Sequence, residues 1–521
     1  MCVFLFQQMA AESRVKKTLL NARVNLIFYF LTLVLSFFSR KIFLDCLGAD
    51  FVGLTGTLQN LLGFLNLAEL GIGGAIGYLL YKPLFDHDET KINEIISVMG
   101  YLYRWIGFII VGAGGVLACF LPWIFPDSET GFHLPLIYFA YFSFLGSSLI
   151  GYFINYRQNL LGADQRNYVV TAYFQTANIV KTIIQMALAY TTQNYYLWII
   201  VEFIFSVIYS IILNWKINQT YPWLKADVKL GRKIFKKYPE VMVKTKQLFV
   251  HKIAGFVQFQ TTPFLIYAFV SLKVVALYGN YTIIVDKVSQ LIGNFIGSTE
   301  AGVGNLIAEG NESKIKSVFW EIMAIRYYIA GVIAFLLYML INPFISLWIG
   351  EQYILSNAVL ILILLRFFIM QTRGATDQFL YGYGLFQDVW APIAEAIIYI
   401  TVAILGGHLW GLPGILLGGC VSQLIIICGW KPYFLFKCGL ELPQREYWLN
   451  ILKYIALALF SMISMSYIME YVTPFINPYN GISMWVFYAS IIAIAYGIIY
   501  LILLLIFTRG MRNAFNRFFK K

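Results

Sequence analysis

Charge is scarce in this sequence. Only 12% of its 521 residues are charged, 60% are hydrophobic, and the mean hydropathy is +0.72. A soluble domain carries about 25% charged residues, so a water-soluble enzyme is excluded. The 14 prolines and 41 glycines show no period, which excludes a fibrous or low-complexity disordered chain. Histidine is rarer still, at four residues, and the six cysteines include no Cys-x-x-Cys pair and no His at metal spacing. Neither a metal site nor a cofactor is expected, and the cysteines read as apolar fillers of helices. Long polar segments are missing too: the longest between apolar runs is about 218–245. A soluble catalytic or nucleic-acid-binding domain needs at least about 50 residues, so neither nucleic acid nor catalysis is expected.

What is present is a series of apolar runs. A helix crossing the hydrocarbon core needs about 20 mostly apolar residues. Fourteen runs meet this reading, from 23–45 and 51–81 through 168–191, 246–270 and 274–307 to 447–469 and 482–508. The expected fold is an all-α integral membrane protein of about fourteen spans. Several runs exceed the bilayer thickness, which calls for tilt or for helix extending beyond the lipid.

Lysine and arginine gather in every second connection. They include Lys82 and Lys91 after the second span, Arg157 and Arg166 after the fourth, and Lys216 to Lys244 after the sixth. Lys314 and Lys316, Lys431 with Lys437, and Arg509 to Lys521 continue the set. The intervening connections carry Asp127, Glu129, Glu351 and Glu470 instead. By the positive-inside rule both termini are cytoplasmic, and the net charge of +12 reports loops facing anionic lipid. The connection after the tenth span breaks the pattern, having no nearby cation outside the helix. The N-terminal stretch MCVFLFQQMAAESRVKK has too short an apolar patch for a signal peptide and its charge lies on the wrong side, so Met9 competes with Met1 as the start.

The chain also repeats itself. A shift of 223 residues sets LGADFVGLTGTL (47–58) on VSLKVVALYGNY (270–281) and DHDETKINEI (86–95) on EGNESKIKSV (309–318). Apolar composition alone does not align charged loop residues, and the repeat at Glu89-x-Lys91-Ile92 and Glu312-x-Lys314-Ile315 does so. Six spans separate the halves, so both enter the membrane the same way up, as in parallel-repeat transporters. The expected organisation is a six-helix lobe at 1–217, a basic cytoplasmic linker at 218–245, a second six-helix lobe at 246–437, and two additional helices with a basic tail at 438–521.

Ionisable residues inside spans cost about 2.5–3.5 kcal/mol each on insertion scales, so they normally face a partner or a water-filled cavity. The candidates for binding an anionic substrate are Arg23, Lys246, Lys181, Arg366 and Arg373; Glu69, Asp286, Glu300, Asp377 and Glu395 are candidates for ion coupling or for structure. Arg23 and Lys246 are 223 apart, which puts a cation at the cytoplasmic mouth of the first span of each half. Such a pair can clamp a phosphate-bearing headgroup or serve as snorkelling anchors. Arg366, Arg373 and Asp377, spaced by 7 and 4, share one helical face, and the last two suit an intrahelical pair. Lys181 has no neutralising neighbour in sequence. Glu69 lies among Gly71, Gly73, Gly74 and Gly77, which favour close helix approach; no strand precedes them and no Lys-Ser/Thr follows, as a phosphate loop would require.

The combination of Arg23-x-Asn25, the segment LGADFVGLTGTLQNLLGFLNLAELGIGGAIGYLLYKPL and an acidic loop ending in Lys91-Ile92 resembles the Wzx-type flippases of bacterial polysaccharide biosynthesis. These belong to the superfamily that includes the MATE exporters and the MurJ-type lipid II flippases. The resemblance implies two lobes alternating between inward- and outward-open states in the bacterial cytoplasmic membrane. Its implied cargo is an undecaprenyl-diphosphate-linked oligosaccharide, with membrane lipids and a polysaccharide polymerase as further partners. Cavity cations would hold the diphosphate. No coupling motif matches residue by residue, which leaves H+ and Na+ both open. Two alternatives remain: a MATE-like cation-coupled exporter, expected to have twelve spans and acidic cavity residues, and a membrane polysaccharide polymerase, expected to carry a sizeable periplasmic catalytic loop.

Overall fold

The computed structural model describes residues 14–65, 72–126, 131–164, 166–296, 303, 306–307, 310–385 and 387–519. Every regular element among them is helical. The long helices are α1 (Arg14–Leu47), α2 (Ala49–Leu65), α3 (Ile72–Phe85), α4 (Glu89–Ile124), α5 (Leu134–Phe153), α6 (Asn167–Thr192), α7 (Tyr195–Thr220) and α8 (Pro239–Phe269). They continue with α9 (Leu272–Ile296), α10 (Glu312–Ile349), α11 (Asn357–Gly382), α12 (Trp390–Trp410), α13 (Leu412–Cys438), α14 (Gln444–Val472), α15 (Ile482–Phe507) and α16 (Arg509–Phe519).

Ten of these, α1, α4, α5, α7 and α10 to α15, are long and apolar enough to cross a membrane. The four remaining apolar runs are helical as well, in α2 with α3, α6, α8 and α9, but are shorter or more polar. The protein is thus an all-α multi-pass membrane protein. At 1.5 Å per residue, α4 is about 54 Å long and α10 about 57 Å, well beyond a 30 Å hydrocarbon core. Both therefore tilt or extend past the lipid.

The repeat is visible in where helices start. α2 and α9, α4 and α10, α5 and α11, and α6 and α12 each begin 223 residues apart. The caps repeat too: Asp88 accepts from the Lys91 amide at 2.9 Å and Asn311 from the Lys314 amide at 3.0 Å, closing the first turns of α4 and α10.

The chain forms two compact units, Met1–Phe264 and Leu265–Lys521. Their boundary falls inside α8, which runs uninterrupted past residue 246, so the boundary expected there is displaced by about one transmembrane half-helix. Segment 218–245 is not a free linker. It packs on unit 1: Asn93 accepts from the Lys225 amide at 2.6 Å, Ser97 from the Asp227 amide at 3.0 Å, and Tyr238 donates to Glu94 at 2.7 Å. In unit 2 the C-terminal helices are similarly integrated. Trp485 donates to the Leu340 carbonyl at 3.0 Å and Tyr328 to that of Gly497 at 3.2 Å, and Tyr488, Tyr496 and Tyr500 are fully buried. The amphipathic α16 seats on α10, where Arg517 pairs with Glu321 at 3.0 Å.

The basic connections of each unit meet at one end. In unit 1, Asp164 after the fourth expected span accepts from Tyr221 after the sixth at 2.8 Å, and burial together with that carboxylate pushes the Tyr221 phenol far above the usual tyrosine range. In unit 2, buried Asp388 after the tenth accepts from Lys431 at 2.7 Å and Trp430 at 3.1 Å. The connection that lacked a cation in sequence thus takes one from its neighbour.

The tightest helix contact joins α12 to α13, which reverse direction at Gly411 in a left-handed conformation (φ +62°). A Cβ on Gly406 would overlap the backbone of Gly414, and one on Gly414 that of Gly406. Gly414→Val is expected to separate the two helices and lower stability by roughly 1–3 kcal/mol, read as a reduced Tm of the purified protein in detergent; an unchanged Tm would contradict this packing.

Candidate functional site

Unit 2 holds a ladder of charge along one face of α11. At its middle, Arg366 projects toward α13, where a Cβ on Gly419 would lie 2.8 Å from the Arg366 Nε. That glycine is what leaves room for a guanidinium between two apolar helices. The same guanidinium hydrogen-bonds Tyr278 and lies within electrostatic reach of Asp286, both on α9. Lys287, the next residue, points about 100° away from Asp286. Two turns further along α11, Arg373 Nε meets Asp377 Oδ2 at 2.6 Å, the intrahelical pair that the spacing suggests. Buried Glu395 on α12 adds a second carboxylate near Arg373. From Arg366 to Asp377 the ladder covers about 16 Å of α11.

The wall opposite Arg373 is unusual backbone. Residues Leu424–Trp430 of α13 form a π-helical stretch, a wider turn often found at functional positions, and it brings Cys428 near Arg373. A further cation enters from α10: Arg326 donates to the Gln371 carbonyl at 3.1 Å and occupies a notch over Gly374, where a Cβ would collide with it. Three arginines and three carboxylates thus share this part of unit 2.

Unit 1 has a smaller counterpart. Lys181 on α6 pairs with Glu202 on α7 at 2.7 Å, and Gln185 bridges the other carboxylate oxygen at 3.2 Å and the Trp198 carbonyl at 3.1 Å. The expectation of an unneutralised Lys181 is therefore corrected: its partner lies 21 residues downstream on the next helix. The side chains keep 16% and 22% exposure, so the pair is not sealed.

Arg23 is exposed near the start of α1. Lys246 belongs to α8, but its side chain lies outside the described residues, as do Glu69 and Glu300 entirely. Among the described residues no cluster of His, Cys, Asp or Glu is arranged to hold a metal ion. Sequence reasoning missed Glu202, Arg326, Tyr278 and Asp388. Glu202 and Arg326 carried the signal used for the others, a lone charge within an apolar run. Tyr278 and Asp388 carried none, because 36 tyrosines and a loop carboxylate are unremarkable until the fold brings their partners to them.

No protein-family model and no curated protein matches this sequence. Among solved structures, the chain is similar to the lipid II flippase MurJ in an inward closed conformation, at 16% identity and a TM-score of 0.65, over 93% of this chain and 99% of that one. It is also similar to an inward-facing multidrug resistance MATE family transporter of the MOP superfamily, at 13% identity and a TM-score of 0.58, over 80% of this chain and 98% of that one. The chain has the fold shared by these two membrane transporters.

The ion pairs make a stability prediction. Removing one partner leaves an uncompensated charge in a low-dielectric site, so Glu202→Gln is expected to cost about 3 kcal/mol. Glu202→Gln with Lys181→Met should recover most of it. Thermal unfolding of the three variants in detergent checks this, and additive losses would show that the pair carries no coupling.

Proposed function

We propose that this protein is a Wzx-type flippase that moves undecaprenyl-diphosphate-linked oligosaccharide units from the cytoplasmic to the periplasmic leaflet of a bacterial inner membrane, for polysaccharide assembly. One observation carries this reading: the likeness to the lipid II flippase extends over 93% of the chain, whereas the MATE likeness stops at 80%. A lipid-linked cargo thus accounts for more of the chain than a drug does. The basic connections, read by the positive-inside rule, support cytoplasmic termini.

The chemistry of the ladder suits such a cargo. Guanidinium groups bind phosphate oxygens bidentately, and Arg366 and Arg373 offer two of them along α11. Lys181 in unit 1, together with Arg23 and Lys246 on the first helix of each half, provides further cations. Each interior cation seen in contact with a carboxylate must exchange that carboxylate for the diphosphate. The exchange leaves Asp377 with Glu395, or Asp286, without its counter-charge inside the membrane. Uptake of H+ or Na+ by those carboxylates restores neutrality and couples cation entry to movement of the anionic headgroup. The conformational cycle is alternating access, and the delivered units pass to a polymerase.

The decisive experiment is the sidedness of the lipid-linked units in cells depleted of the protein, using a probe confined to the periplasmic leaflet. Intact single units that accumulate out of the probe's reach are expected. Units that reach the periplasmic face yet stay unpolymerised would replace this reading with a polymerase or its partner. In cells, Arg23→Ala with Lys246→Ala is expected to abolish delivery while the protein still inserts; delivery at the wild-type rate would remove both cations from the binding path.

A further inference from the structure

Segment 221–238, between α7 and α8, contains more positive charge than any other connection. Its cations are Lys225, Lys229, Arg232, Lys233, Lys236 and Lys237, all exposed, against the single carboxylate Asp227. That carboxylate is spent within the segment, capping the Lys229 amide at 2.9 Å. The opposite face is apolar and buried: Leu224, Gly231 and Ile234 turn inward. Gly231 seats directly on the Ser97 and Val98 backbone of α4, a contact no other residue would allow. Phe235 meets Tyr101 with ring centroids 5.8 Å apart. Together with the hydrogen bonds to Asn93, Ser97 and Glu94, these contacts hold the segment flat on unit 1 as a strap.

On a helical projection the cations of the strap occupy one side, about 40–140° from Val228, and the buried residues the other. Trp223, half-buried, and Leu230, exposed, form an apolar rim between the two. An apolar edge beside a row of lysines and arginines is the arrangement of segments that lie in a membrane interface. The strap is also tethered at both ends, by α7 and by α8, which fixes its depth near the end of α7, a helix long enough to cross the bilayer. Anionic headgroups of that same bilayer are the partner within reach.

From this geometry we infer that the strap is a binding surface for anionic phospholipid headgroups. The inference is independent of the transported cargo. Its consequence is local: Tyr238 binds Glu94 immediately before α8 begins, and α8 contributes residues to both compact units. Lipid bound along the strap therefore braces the start of the one helix that passes between them.

Binding of phosphatidylglycerol and of phosphatidylcholine to the purified full-length protein in mild detergent, counted as adducts by native mass spectrometry, tests this. Phosphatidylglycerol is expected to bind preferentially. Neutralising four cations, with Lys229→Gln, Arg232→Gln, Lys233→Gln and Lys236→Gln, should weaken it at least about tenfold. Replacing the three lysines by arginine should retain it, and Arg509→Gln with Arg512→Gln on α16 should leave it unchanged. Should the fourfold variant fail to fold, raising salt from about 50 to about 200 mM must weaken phosphatidylglycerol binding to the wild type. Equal binding of the two lipids, full competition by inorganic phosphate at equal concentration, or binding untouched by both neutralisation and salt would overturn the inference. Equal binding would leave the strap as a dock for a soluble acidic partner.

Discussion

The hydrocarbon core offers no water to an ionised side chain, and much of this structure follows from that one constraint. A charge inside a span must find its counter-charge or hydrogen-bond partner on a neighbouring helix, or on its own helix one turn away. Lys181 finds Glu202 across α6 and α7, Arg373 finds Asp377 on α11 with Glu395 on α12 close by, and Arg366 reaches Tyr278 and Asp286 on α9. These contacts specify which helices are neighbours more sharply than apolar packing does, since lipid tails are as apolar as leucine and provide little drive for one helix to choose another.

Small residues make those polar contacts possible. A guanidinium needs space between helices, and Gly419 and Gly374 supply it for Arg366 and Arg326. The same absence of a side chain lets α12 and α13 touch backbone to backbone at Gly406 and Gly414, and lets the strap lie on α4 at Gly231. Close approach and interior charge are thus two uses of one device: the glycine removes volume, and either a backbone or a cation takes its place.

The interior pairs also combine firmness with access. Lys181 and Glu202, and Arg373 and Asp377, retain between 16% and 28% side-chain exposure. A fully sealed pair would be a fixed structural element, costly to open because each ion would be left bare. A partly exposed pair can trade one partner for another, which is what transient recognition of an anionic headgroup requires of a membrane transporter.

Composition and hydropathy determined the all-α membrane class, and the periodic placement of Lys and Arg determined the alternation of connections, because the cost of burying charge acts on each segment by itself. The repeat was legible for the same local reason: a cap such as Asp88 or Asn311 works within one turn of its own helix, so the helix starts recur 223 residues apart. The Arg373–Asp377 pair was legible because its partners are four residues apart on one helix. Lys181–Glu202, Arg366 with Tyr278 and Asp286, and Asp388–Lys431 were decided only by tertiary structure. Their partners are separated by 21 to about 90 residues, and no local rule relates the rotation of one helix about its axis to that of another. The strap was read as a linker because its charges are written in the sequence, whereas the glycine seat and the three hydrogen bonds that pin it exist only once α4 lies beneath it.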